Sequence, residues 1–396
     1  MVGLARSGVA ALRTLRARGE EAIGVDAGRP DVDVPGVHLG SDGVELLGGV
    51  RAVVKSPGVP EDAPVVRAAR DRGLAVFGEL ELAWRLLPNA FIAITGTNGK
   101  TTTTELVGHV HREAGLPVEV AGNVGVALTS LVGVADPRAV IVCEASSFQL
   151  QDTLAFAPEA AVLLNLQADH LDRHGTFERY REAKLQAFAR QGPDAVAVAP
   201  EEVTLPGAAR RLGPADIDGW DVGLRGEHNR RNAAFAAAVC LARGIPEEAV
   251  RAGLRTFRGV EHRLEEVATR DGVLYVNDSK ATNVPSTLMA LAAFSAPVHA
   301  ILGGRGPGQD FAALREPVRE HCAGVYLIGE EGPAIGAAIG TGTWCEDLER
   351  AVDAAAAAAR PGEVVLLSPA CKSFDQYADF EARGTHFKEL VARRRI

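Results

Sequence analysis

AFIAITGTNGKTTTTEL, from Ala90 to Leu106, is the stretch on which the fold turns. A run of β-forming residues, Phe91 to Thr95, meets the loop Gly96-Thr97-Asn98-Gly99, then Lys100, then four threonines. Glycines in such a loop let backbone N–H groups turn toward an anion, and the start of the following helix adds its dipole. The order strand, glycine loop, lysine, hydroxyl reads as a phosphate cradle, shorter than a full G-x-x-x-x-G-K-[ST] loop. Gly96, Thr97, Asn98, Gly99, Lys100, Thr101 and Thr102 then surround a triphosphate. Lys100 reaches its β/γ end and the Thr101 hydroxyl offers a hard oxygen to Mg²⁺. An ordinary strand-to-helix turn with a solvated lysine is the bland alternative. The loop alone does not say whether the phosphate is hydrolysed, passed to an alcohol, or used to activate a group for joining.

Outward from the loop, short β-type runs alternate with alanine-rich helical segments. EAIGVD, RAVVKS, LAVFGE, AVIVCE, AAVLLN, GVLYVND, VHAILGG, GVYLIGE and EVVLLSP are examples. Strands separated by helices imply an α/β protein with parallel sheets. RGEHNRRNAAFAAAVCLARGIP reads as a helix stopped by Gly244 and Pro246, and DAAAAAAR near Asp353 as another. A turn at LLPNA and the start of HRLEEV divide the chain into three blocks, residues 1–88, 89–258 and 259–396.

Two further segments carry chemistry. Glu144 closes the apolar run AVIVC, which places a carboxylate at the C-terminal end of a buried strand, the edge where open α/β sheets bind ligands. It reads as a Mg²⁺ ligand or as a structural cap. Past the strand AAVLLN come Asn165, Asp169, His170 and Asp172, and then Phe177, Tyr180, Lys184 and Phe188 on one helical face. A lysine in an apolar stripe either snorkels to water or has a partner.

Bulk properties narrow the class. At 396 residues the chain exceeds one ordinary core; 47% hydrophobic and 23% charged residues describe a folded globular protein. Net charge is −9, from 42 basic and 51 acidic residues with no basic block, which argues against a nucleic-acid partner. The five cysteines are scattered without a C-x-x-C pair, so neither a zinc knuckle nor a disulfide framework is indicated. No apolar run is long enough to span a bilayer and no signal core is present, so a cytoplasmic protein without membrane insertion is expected.

GTNGKTTT, EASSFQL, DHLDRHGTFERYREAK, GEHNRRN, NDSKATN and LLSPACKSFDQY, in this order over nearly the whole chain, resemble the Mur ligases, ATP-dependent amino-acid ligases of bacterial cell-wall synthesis. The resemblance implies three domains: a Rossmann-like N-terminal domain for the UDP end of the substrate, a central P-loop-type domain for ATP, and a Rossmann-like C-terminal domain for the amino acid. HLDRHG and SPACKSFDQY most resemble the members that add D-glutamate to UDP-N-acetylmuramoyl-L-alanine. The diamino-acid members carry a DNPR-type motif, which is absent here. Another Mur-type or folylpolyglutamate-type ligase is the rival within the class, and a non-catalytic nucleotide sensor the rival outside it. The expected chemistry is an acyl phosphate formed from ATP and opened by an amine, in a monomer.

Residue by residue, the resemblance assigns Lys100, His170 and Lys184 to catalysis. ATP contacts extend to Asn229, Asn232, Arg263 and Asp278, with His262 beside them. Thr101, Glu144, His170 and a carbamylated Lys184 are the implied ligands of two Mg²⁺ sites. Ser7, Asp26, Ser56, Gly58, Asn123, Ser146 and Gln149 match UDP-substrate positions. Lys280, Thr282, Ser373, Phe374 and Phe380 match the D-glutamate pocket. Carbamylation also resolves the helix puzzle, since it makes Lys184 carboxylate-like. Two departures stand out. Pro307, in GGRGPGQDF, replaces a lysine found in some members, and Arg305 or Lys372 is expected to supply that charge. The chain also opens MVGLARSG, with Gly3 and Gly8 fitting a G-x-x-x-x-G turn but little of the preceding strand. Either the start lies upstream or the sheet edge is unusually short.

Overall fold

The computed structural model describes residues 1–306 and 309–394, so Pro307 lies outside the described residues. The chain forms two compact units: Met1–Val222 with Glu227–Phe257, and Gly223–Gly226 with Arg258–Ile396.

The first unit holds two parallel arrays. One comprises β1 (Gly24–Asp26), β2 (Val37–Leu39), β3 (Ala52–Lys55) and β4 (Ala75–Gly78), paired β1 with β2 and β3 with β4. Val2 bridges in parallel to both Val25 and Lys55. Its N–H donates to Val54 O at 2.8 Å, and that of Gly3 to Val25 O at 2.9 Å. Val2 therefore sits between β1 and β3, in the middle of the array rather than along its edge. The other array is six-stranded: β5 (Phe91–Thr95), β6 (Val118–Gly122), β7 (Val140–Glu144), β8 (Ala160–Leu163), β9 (Val196–Val198) and β10 (Arg210–Leu212), in the order β10-β9-β8-β5-β7-β6. All its pairings are parallel. Phe91 to Ile94 are wholly buried, as a central strand covered on both faces must be. β7 and β8 flank β5, so the order reverses here and the loops after all three strands open at one crevice.

Buried acids tie the two arrays together within this unit. Glu79 accepts from the Thr129 N–H at 2.7 Å and its hydroxyl at 2.8 Å. Glu81 accepts from the N–H groups of Leu154, Ala155 and Phe156 at 2.9–3.0 Å.

The second unit is a six-stranded sheet of β11 (Glu265–Arg270), β12 (Val273–Asn277), β13 (Val298–Gly303), β14 (Cys322–Ile328), β15 (Thr343–Glu346) and β16 (Val364–Leu367), ordered β11-β12-β16-β13-β14-β15. Only the β11–β12 pair is antiparallel. Apolar clusters fill both faces, one around Leu302 and Leu366, the other around Ile301 and Phe387. The helices read from the sequence form at Glu227–Ala242, ended by Gly244 at φ +85°, and at Leu348–Ala358. All five cysteines are free. Among the described residues no helix is long and apolar enough to cross a membrane.

Candidate active site

The phosphate loop leaves β5 at Gly96, with φ +153°, and enters the helix Lys100–Glu113 through Gly99, with φ +84°. It is clamped from the β8 side. The Thr97 N–H donates to Asn165 O at 3.1 Å, the Asn98 N–H to Asn165 Oδ1 at 2.9 Å, and Asn165 Nδ2 to Asn98 O at 3.1 Å. Thr97 Oγ1 lies 3.0 Å from the Tyr180 hydroxyl. A Cβ on Gly99 would overlap Asn232 Oδ1, so that carboxamide packs directly on the loop. Asn229 lies three residues earlier on the same helix.

Two lysines meet at one carbonyl. Lys100 Nζ donates to Gly96 O and Thr97 O, both at 2.9 Å, and Lys184 Nζ to Gly96 O at 2.7 Å. Lys184 is 2% exposed and does not snorkel; its amine lies 4.6 Å from the Tyr180 ring centroid. Burial, then the charge of Lys100, pull that amine down to about 7, while Asp169 and Glu144 oppose the shift. Thr176 caps the helix Phe177–Leu185 that carries it, and Phe188 falls in the turn beyond.

Around the loop, Thr101 and Thr102 are buried in the first helical turn. Glu144 ends β7, 3% exposed, and its Oε1 accepts from Asn123 Nδ2 at 3.1 Å. His170 has φ +51° and starts the short helix Leu171–His174, its ring 5.0 Å from that of Phe148. Ser146 and Gln149 form a capping box that opens the helix Ser147–Gln151, a structural use for two residues matched to substrate binding. Among the described residues no three His, Cys, Asp or Glu side chains converge as a cage for a metal. Mg²⁺ bound to a nucleotide takes one or two protein oxygens beside phosphate and water, and a buried carboxylate and hydroxyl at the loop fit that need.

Ser7, Asp26, Ser56 and Gly58 line a cavity of about 340 Å³ beside the first array. Asp26 has both oxygens engaged, accepting from the Leu4 N–H at 2.6 Å and the Gly28 N–H at 2.7 Å, so its carboxylate shapes the cavity wall. Ser56 Oγ donates to Gly3 O at 2.7 Å.

In the second unit Asp278 is buried after β12, where Ser368 Oγ donates to it at 2.8 Å and the Leu264 N–H at 3.2 Å. Burial raises its carboxyl to about 7, with those hydrogen bonds and then Arg263 opposing. His262, at φ +62°, lies 2.9 Å from Asn277 Nδ2 and edge-on to Phe380. Lys280 Nζ sits 5.8 Å from the Phe380 ring centroid, and the Thr282 N–H donates to Lys280 O. Ser373 is buried while Phe374 is 56% exposed. Arg305 is paired with Glu330 at 2.9 and 2.5 Å; Lys372 is exposed and meets it through an isolated antiparallel backbone bridge.

Sequence reasoning passed over Arg383. It is 1% exposed, its Nε donates to Ser279 Oγ and its Nη2 to Ser279 O and Cys371 O, at 2.9–3.0 Å, tying the NDSK turn to the SPACKS loop. The signal was there: Phe380, Arg383 and Phe387 put a cation in an apolar stripe, the argument that flagged Lys184.

Comparison with known proteins follows the same lines. Residues 94–211 match the model of the Mur ligase middle domain and residues 262–371 that of the Mur ligase glutamate ligase domain. The fold is shared with UDP-N-acetylmuramate–alanine ligase MurC of Thermotoga maritima (TM-score 0.61, 17% identity, 99% of this chain and 98% of that one). It is shared too with MurF ligase of the same organism, solved with ADP (TM-score 0.59, 18% identity, 96% and 91%). Fold, phosphate loop and matched domains define an ATP-dependent ligase of the Mur type. Two curated proteins named UDP-N-acetylmuramoylalanine–D-glutamate ligase align along the chain. That of Pelotomaculum thermopropionicum is 40% identical over 99% of this chain and 96% of its own length. That of Anaeromyxobacter dehalogenans is 41% identical with the same coverage. The chain belongs to the UDP-N-acetylmuramoylalanine–D-glutamate ligase family.

Proposed function

We propose that this chain joins D-glutamate to UDP-N-acetylmuramoyl-L-alanine at the expense of ATP. The observation that carries the reading is the meeting of Lys100 and Lys184 on Gly96 O, at the mouth of a loop flanked by Glu144. In this reading Lys100 meets the phosphate chain at the loop, and Lys184 carries a carboxylate made by its own carbamylation. An amine drawn down to about 7 is partly neutral near pH 7, and the neutral form is the one that reacts with CO₂.

The chemistry is two displacements. A carboxylate oxygen of the UDP substrate attacks the γ-phosphorus, ADP leaves, and an acyl phosphate forms. The amine of D-glutamate attacks the acyl carbon and phosphate departs. Lys100 and the loop N–H groups hold the phosphates in line, and Asn232 props the loop. Thr101 and Glu144 would hold one Mg²⁺, and His170 with carbamylated Lys184 a second, to neutralise charge on the phosphates.

In this reading residues 1–88 carry the UDP substrate at Ser7, Asp26, Ser56 and Gly58. Residues 89–258 carry ATP, with Asn123, Ser146 and Gln149 reaching the substrate. Residues 259–396 take D-glutamate at Lys280, Thr282, Ser373, Phe374 and Phe380, with Arg263 and Asp278 serving the nucleotide. A cytoplasmic monomer suffices. The test is a panel of amino acids incubated with UDP-N-acetylmuramoyl-L-alanine and ATP, following ADP. Release that depends on both the UDP substrate and D-glutamate is expected; release with L-glutamate or a diamino acid and none with D-glutamate overturns the specificity.

A further inference from the structure

Arg173 belongs to none of the groups assigned above. It lies on the short helix Leu171–His174, which begins at His170. Its Nη2 donates to Pro57 O at 2.5 Å and Val59 O at 2.8 Å, and its Nη1 reaches Gly58 O at 3.4 Å. Those three consecutive carbonyls belong to the segment that walls the 340 Å³ cavity. The guanidinium carbon lies 4.4 Å from the Phe148 ring centroid, and that ring also contacts His170 at 5.0 Å and stacks on His174 at 5.1 Å. His174 Nε2 is in turn 3.0 Å from Ser147 Oγ, and the Arg173 N–H donates to His170 O at 3.1 Å. A planar, multi-donor cation stacked on an aromatic face is far stiffer than a solvated arginine. Cavity wall, short helix and His170 are thus joined through one side chain.

We propose that Arg173 is a positioning residue that links occupancy of the cavity by a nucleoside diphosphate to the setting of His170 beside the phosphate loop. A ligand that shifts Pro57–Val59 moves the carbonyls that hold the guanidinium, and the helix it belongs to carries His170. The coupling proposed is favourable, and by reciprocity each ligand changes the affinity for the other by the same factor. The inference rests on the ligase reading for the identity of the two ligands, and its test needs no turnover.

The experiment measures the dissociation constant of Mg²⁺ with a non-hydrolysable ATP analogue, by calorimetry, with and without saturating UDP. For the wild-type chain a ratio of about five or more is expected, the low end of measured couplings. Arg173→Ala brings the ratio to one, because the Pro57–Val59 carbonyls are then no longer tied to the helix that follows His170. Arg173→Lys keeps a charge but cannot span three carbonyls, and falls between. A merely structural staple would lower the melting temperature of both variants and leave the ratio untouched. A wild-type ratio of one, or a wild-type ratio retained in Arg173→Ala, overturns the proposal. Should the alanine variant unfold, the ratio in Arg173→Lys decides on the same terms. Intact coupling without D-glutamate-dependent phosphate release overturns the ligase reading and leaves this proposal standing.

Discussion

Gly99 shows how much one residue carries. Its φ of +84° is costly for any side chain with a Cβ, and that atom would overlap the Asn232 carboxamide. Gly115, at φ +69°, has nothing within 4 Å of the same atom. Both alanine variants should lose about 1 kcal/mol from backbone strain. Gly99→Ala alone should also raise the KM for ATP, by roughly ten-fold or more if the loop must shift to clear Asn232. Equal ATP kinetics for the two variants would refute a packing role for Asn232. Asp278 gives a pH prediction. Burial lifts its folded carboxyl to about 7 from the ordinary 3.8, so between about pH 4 and 7 the folded chain keeps a proton that the unfolded chain has released. That group's contribution is complete below pH 4 and is lost as pH rises through 7. The urea midpoint of Asp278→Asn, measured relative to wild type, should therefore improve between pH 5 and pH 8; a constant difference would count against the buried acid.

Among elements, the helix Glu79–Leu86 joins the two arrays of the first unit through its buried acids. Glu81 satisfies three successive N–H groups, Leu154 to Phe156, that no sheet or helix pairs. Glu81→Ala leaves those donors, that of Phe156 buried, without their acceptor and should cost about 3 kcal/mol, read from the urea midpoint. Glu81 also pairs with Arg85 at 2.6 Å, whereas burial raises the Glu79 carboxyl, so a neutral amide mimics Glu79 closely. Glu79→Gln should cost less than Glu81→Gln, and the reverse order would mean that charge, not hydrogen bonding, holds Glu79. Beside them Lys55 Nζ lies 2.6 Å from Asp152 Oδ2 and 3.1 Å from Glu61 Oε1, another ionic tie inside the first unit.

For the whole molecule, two units with separate cores predict two calorimetric transitions. The phosphate loop lies in the first unit, so Mg²⁺ with an ATP analogue at a hundred times its Kd should stabilise that transition by about 2.7 kcal/mol. A single transition, shifted as a whole, would show that the units unfold as one. Lys184→Ala and Lys184→Arg, neither able to carry a carbamate, should both lose D-glutamate-dependent ADP formation. Labelled bicarbonate should give a carbamate signal in wild type that is absent from both variants.

The phosphate loop and the alternation of strands with helices were written in the sequence, because glycine spacing and apolar periods are local signals; Lys184 stood out as a cation in an apolar stripe, but only the resemblance set its reading against snorkelling. Short or edge strands such as β2, β6, β10 and β15 were not, since three to five residues with mixed exposure carry little pattern. Nor was the central place of Val2, which depends on two strands more than 20 residues away. Resemblance pointed to Ser146 and Gln149 as substrate contacts; tertiary structure added their capping box. Arg173 and Glu81 show the deeper limit. Their partners are backbone groups of distant segments, and a carbonyl or an N–H has no residue identity for a sequence to reveal. Local chemistry thus determined what this chain works with, while only the folded chain decided how the parts are held.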